Sequence, residues 1–214
     1  MAKSKPKAYK EQSFDHLHGL VGISDDQIAE HLKLYSGYVK QVNTLNEELT
    51  EMMGRGKASG KDPEFAELTR RLGFEYNGMI LHEYYFSNLR PAAEPTPASS
   101  SALGHALTEG FGSLDVWKTD FQAIGDMRGI GWVILFQDPA TDRLTNHWIS
   151  LHQDGVPAGF KPLLVMDVWE HAFMRDYKAT DKAKYVEAFF RNIDWQAVER
   201  RLREASAVRP AAAA

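Results

Sequence analysis

Between Ser24 and Gly54 the apolar positions Ile28, Leu32, Tyr35, Val39, Val42, Leu45 and Leu49 step by three or four residues. That period marks an amphipathic helix, and Ser24 ahead of two aspartates is its expected N-cap. The Gly-rich "GRGKASGKD" should end it. A second helix is expected from about Pro63 through "FAELTRRLGFEYNGMILHEYYFSNL", apolar or aromatic on nearly every side from Phe74 onward and therefore buried. Two long helices joined by a short loop pack antiparallel.

The next stretch, "RPAAEPTPASSS", reads on its own as a linker. Beyond it the pattern changes. Short helices are expected through "SALGHALTEGFGSLDVWKTDFQAIG", then three strands in "GWVILFQD", "LTNHWISLH" and "KPLLVMD", the first two joined as a hairpin by "DPATDR". Helices in "VWEHAFMRDYK", "KAKYVEAFFRN" and "DWQAVERRLREA" close the pattern. The residues before Ser24 read as a polar arm and "RPAAAA" as a disordered tail. The expected fold is α+β: a helical hairpin over residues 1–90, then a mixed domain over 91–214 with a three-stranded antiparallel sheet flanked by helices.

Composition narrows the chemistry. The chain has no cysteine, which excludes disulfides, thiolate metal sites, iron–sulfur clusters and cysteine nucleophiles, so a metal must sit on His, Asp or Glu. A net charge of −4 without a basic block beyond the first ten residues argues against nucleic acid. No apolar run approaches the ~20 residues that span a bilayer. The basic opening "MAKSKPKAYKEQ" is followed by no apolar stretch, so no secretory signal is expected and the chain reads as cytoplasmic.

Four residues stand out. Asp167 ends the most apolar strand and His171 follows at i+4, on the same face if a helix starts near Asp167. His31 and His82, on the two long helices, can face each other across the seam. Three imidazoles and a carboxylate meeting at one point suit a redox metal such as manganese or iron, the carboxylate offsetting part of its charge. Spacing alone leaves buried, hydrogen-bonded histidines as the alternative.

"DVWEHAF", with Asp167, Trp169, Glu170 and His171, resembles the signature of the iron/manganese superoxide dismutases. "NGMILHEYYFSNL", "GSLDVWKTDF", "GIGWVIL" and "NIDWQAVERRL" are similar to further segments of that family in the required order, from about Ser24 to Leu202. The resemblance implies that "RPAAEPTPASSS" is the crossover between the family's two domains. It implies His31, His82, Asp167 and His171 as ligands of one manganese ion per chain, or alternatively iron, with Trp169 walling the site.

The same resemblance implies superoxide as substrate and a homodimer or dimer of dimers, in which Glu170 reaches the partner's ligand histidine. A glutamine beside the metal-bound solvent is expected either at position 78, here Gly78, or in the loop after the second strand, here Gln153; the latter is the manganese-type arrangement. Tyr38, two turns after His31, is expected at the mouth of the site, with Trp132, Tyr85 and Phe86 in the apolar shell. Lys33, Lys40, Arg175 and Lys178 are candidates for attracting the anion. Tyr35 takes roughly the place of a gateway histidine, and Met174 that of the tyrosine that partners it across the dimer. These departures keep two other readings open: a metal-binding protein of this fold without rapid dismutation, or a mononuclear iron peroxidase or oxygenase.

Overall fold

The computed structural model describes residues 7–207. Helix α1 (Asp25–Gly54) starts at Ser24, whose hydroxyl accepts from the Gln27 amide, with Asp25 and Asp26 in the first turn. Helix α2 (Pro63–Ser87) is capped by Asp62, with Pro63 at its first position. The two fold back on each other so that the rings of His31 and His82 meet edge to face, centroids 4.9 Å apart.

Helices α3 (Ala102–Phe111) and α4 (Leu114–Gly125) lead into the sheet, and α5 (Lys182–Phe190) and α6 (Trp195–Ala207) follow it. The strands β1 (Gly131–Gln137), β2 (Leu144–Ser150) and β3 (Lys161–Asp167) form an antiparallel sheet in the order β2-β1-β3. All seven residues of β1 are buried, as a central strand covered on both faces requires. Its register pairs Trp132 with Ile149 on one side and with Asp167 on the other. The α+β architecture is thus the one that the pattern predicts. Among the described residues no helix is long and apolar enough to cross a membrane.

Three details depart from expectation. Residues 7–23 are no polar arm, because Phe14, Leu17, Leu20 and Ile23 are buried in the core. The segment after α2 departs only from the linker reading of its composition and agrees with the crossover that the resemblance implies, because it is held: the Arg90 amide donates to the Asn192 carbonyl at 2.8 Å and Trp195 Nε1 to the Glu94 carbonyl at 2.9 Å. Third, "VWEHAFMRDYK" forms no α-helix. Strand pairing runs on to Val168, whose amide donates to Gly131. Trp169 is extended and its amide donates to Asp167 Oδ1 at 2.8 Å, leaving only a 3₁₀ turn, Glu170–Ala172, to carry His171. The tail "RPAAAA" lies outside the described residues.

Gly131 sits at the start of β1 with φ +145°, and a Cβ there would stand 2.0 Å from the Ile149 carbonyl oxygen. Gly60 has open space around it. Gly131→Ala is therefore expected to destabilise the fold by roughly 3 kcal/mol in urea unfolding, and Gly60→Ala by less than about 0.5 kcal/mol.

Candidate metal centre

Four elements deliver four side chains to one point. His31 comes from α1, His82 from α2, Asp167 from the end of β3 and His171 from the turn beyond it. Their ligand atoms all lie within 4.8 Å of one another. Asp167 Oδ2 is 3.1 Å from His31 Nε2, 3.2 Å from His171 Nε2 and 3.6 Å from His82 Nε2. Donors held about 2.1 Å from one first-row cation stand roughly 3 to 4 Å apart, so this spacing fits a single ion.

The protonation pattern fits as well. Burial, reinforced for His82 by the neighbouring His31, pushes both imidazoles below their ordinary range and keeps them neutral. His82 Nδ1 donates to the Gly78 carbonyl at 2.6 Å, which leaves the lone pair of a neutral ring on Nε2. That Nε2 is fully buried, has no hydrogen-bond partner and faces Asp167. Burial alone would push the Asp167 carboxyl up, but His171 and His31 more than offset it and hold it below the usual carboxylate range. Neutral imidazoles beside an ionised carboxylate are the donor set that a divalent or trivalent cation needs.

Aromatic residues close the space around the four. Tyr85 and Phe86 lie 5.0 and 4.9 Å from the His31 ring, Trp132 5.0 Å and Tyr38 5.1 Å from His82, and Trp169 stacks on His171 at 5.7 Å. Each expected shell aromatic is brought to the cluster. His171 alone is partly open, 21% exposed, and its Nδ1 forms no hydrogen bond among the described residues.

Two sequence expectations fail. Gln153 does not face the cluster; it is exposed, and its Oε1 accepts only from the His152 amide at 3.3 Å. His152 takes the inner position, fully buried, with Nε2 2.8 Å from Tyr38 Oη and Nδ1 accepting from Trp132 Nε1 at 3.0 Å. The cause is local. Strand alternation would put residue 153 on the Ile149 face, but Leu151 has φ +53°, which turns the chain and brings residue 152 inward. The stacking of His152 on Trp169, 4.9 Å away, completes the exchange.

Tyr35 is no gateway residue. It is 1% exposed, and its hydroxyl donates to Glu83 Oε1 and accepts from the Gln12 amide, both at 2.9 Å, beneath the N-terminal segment. Met174 is exposed. Of the expected attracting cations, Lys33 pairs with Glu30 at 2.7 Å and Arg175 with Asp26 at 3.3 Å. Gly78 cannot be a longer residue while Tyr38 stays in place, since a Cβ there would stand 2.6 Å from the tyrosine ring.

Fold and site together define an α+β protein with a candidate mononuclear centre of three histidines and one aspartate. Residues 99–201 match the family profile described as "Iron/manganese superoxide dismutases, C-terminal domain". The chain is 36% identical to the "Superoxide dismutase [Fe]" of Aquifex pyrophilus, over 92% of this chain and 93% of that one. It is 36% identical to the "Superoxide dismutase [Fe]" of Cupriavidus metallidurans, over 89% and 92%, and 34% identical to the "Superoxide dismutase [Mn]" of Mycolicibacterium fortuitum, over 80% of each. The chain belongs to the iron/manganese superoxide dismutases.

His152 titrates far from its ordinary range, because burial pushes its imidazole from 6.5 down to about 4. The unfolded chain then binds this proton more readily than the folded one, so stability is retained above about pH 6.5 and lost as pH falls toward 4. Urea unfolding of the metal-free protein between these values should show a steeper loss for wild type than for His152→Gln, which removes this site's share.

Proposed function

We propose that this chain dismutates superoxide at a mononuclear iron or manganese site held by His31, His82, Asp167 and His171. The observation that carries the reading is the buried, unpartnered Nε2 of His82, facing Asp167 Oδ2 together with the Nε2 atoms of His31 and His171. When bound there, the metal would exchange single electrons, so that one superoxide leaves as oxygen and a second, taking up two protons, leaves as hydrogen peroxide.

The chain's own part is to place charge and protons. Asp167 brings one negative charge to the site and the buried imidazoles of His31 and His82 bring none. Trp132 Nε1 can only donate, so His152 Nδ1 must accept and the proton of the neutral ring sits on Nε2. That N–H is directed to Tyr38 Oη at 2.8 Å. The phenol proton of Tyr38 is thereby left to point elsewhere, toward a small anion beside His82. Burial, with the Asp167 charge, pushes the Tyr38 hydroxyl up, so it remains a proton donor throughout the neutral range. Trp169, stacked between His152 and His171, keeps bulk water from the histidines.

The manganese-type expectation rested on Gln153, which is exposed, so that argument falls; the proposal names iron and manganese alike, as the relatives' names do. The argument for a gateway altered at Tyr35 falls too, since Tyr35 lies under the N-terminal segment. We further propose a homodimer in which Glu170 of the partner subunit accepts from His171 Nδ1. The partial exposure of that ring and the exposed position of Glu170 in the same turn support it.

Metal analysis combined with superoxide turnover tests the reading. Wild type loaded with iron or manganese should hold one ion per chain and consume superoxide, while His82→Ala and Asp167→Asn lose stoichiometric metal and turnover together. A wild type that binds neither metal, or binds one without turnover, would refute it. His152→Ala should keep the metal and slow turnover by about tenfold or more, whereas Gln153→Ala changes little. In sedimentation at micromolar concentration, Glu170→Ala should shift a dimer toward monomer.

A further inference from the structure

We infer that Gln27, one helical turn ahead of His31, is a positioning residue that holds His171 in place by inserting its side-chain amide into the turn after β3. The inference rests on the reading of His171 as a metal ligand. Gln27 is 1% exposed, and a buried amide is tolerated only when both its ends are satisfied. Nε2 donates to the carbonyl of His171 at 2.7 Å, and Oε1 accepts from the Arg175 amide at 3.0 Å. A carbonyl cannot donate and a backbone N–H cannot accept, so these partners allow one orientation of the amide.

The pair is informative. In an α-helix the Arg175 amide would bond to the His171 carbonyl, four residues back. Gln27 sits between those two groups, meets the needs of both, and so replaces one helical hydrogen bond with two bonds to α1. The expected helix is opened at the residue that carries the ligand. The remaining bonds of the turn, from the Ala172 amide to Trp169 and from the Phe173 and Met174 amides to Glu170, leave the His171 carbonyl to Gln27. Gln27 and His31 share a face of α1, being four residues apart. One helix face therefore presents the His31 ring and fixes the backbone of His171, which is the ligand with the most freedom because it alone is partly exposed. Two surface contacts flank the insertion, from the Ser24 amide to Asp176 Oδ2 at 2.7 Å and between Arg175 and Asp26.

Two variants separate the roles of the amide. Gln27→Met keeps length and apolar bulk without either bond; Gln27→Glu keeps the acceptor for Arg175 and loses the donor to His171. In the metal-free chain, amide hydrogen exchange at Arg175 should lose protection in Gln27→Met and keep it in Gln27→Glu. Iron- or manganese-loaded protein of both variants should release metal to a chelator about tenfold faster than wild type, with a changed electron paramagnetic resonance signature of the iron form. Asp26→Ala, which removes only the surface pair, should change neither release nor signature. Unchanged release and signature in a folded Gln27→Met would overturn the inference. If Gln27→Met does not fold, wild type decides: one Gln27 Nε2 proton should exchange slowly, and exchange of both at the free rate would refute the clamp. A wild type that takes up no metal would sink the proposed function, while the Arg175 exchange comparison would still report on the clamp.

Discussion

A carboxylate oxygen with no access to water sets the terms for everything around it. Asp167 is fully buried, and an ionised carboxylate in that position costs several kcal/mol unless its lone pairs are met. Here Oδ1 accepts from the Trp169 amide and Oδ2 faces three imidazole nitrogens. The backbone on the other side is held too, since the Asp167 carbonyl accepts from Tyr185 Oη at 2.7 Å. The negative charge is thus fixed in position before any cation arrives, and the fully buried imidazoles of His31 and His82 beside it stay neutral because burial disfavours their charged form.

Fixing the carboxylate also requires that α2 and β3 not slide, and a second, partly buried charge does this away from the site. Arg201 on α6 donates to the Leu163 carbonyl at 2.8 Å, the Tyr84 carbonyl at 3.2 Å and Ser87 Oγ at 2.6 Å, and it also bonds Asn88 Oδ1. A guanidinium at the C-terminal end of α2 adds a bond to the Tyr84 carbonyl, which also accepts from the Asn88 amide, and complements the helix dipole. Burial pushes Arg201 down to about 10, still high enough to remain charged. One residue of α6 therefore ties the helix that carries His82 to the strand that carries Asp167.

Period and composition made the helices and strands legible, because each buries one face, or both, against a single core. The four clustered residues were legible as well: a charged group ending an apolar strand, and histidines on apolar helix faces, have few reasons to be there. What escaped was decided by backbone geometry that residue type does not reveal. A left-handed φ at Leu151, unusual for a leucine, turns His152 inward and Gln153 outward. The turn around His171 looked helical because its residues tolerate helix. The group that opens it, Gln27, lies 144 residues earlier in the chain. The buried N-terminal segment reads as polar because Phe14, Leu17, Leu20 and Ile23, each three residues from the next, match neither the alternation of a strand nor the mixed three-and-four step of a helix.

That wide separation bears on how the protein is made. A ribosome delivers the chain from its N-terminus at roughly 5–20 residues per second. His31 emerges 136 residues ahead of Asp167, and Asn192, which bonds the backbone of Val21, follows 171 residues after it. The nascent hairpin carries only two of the four clustered residues, His31 and His82, too few to complete the candidate site. At the proposed site, ion capture would therefore have to wait until β3 has been made and has docked, well after the two helices of the hairpin.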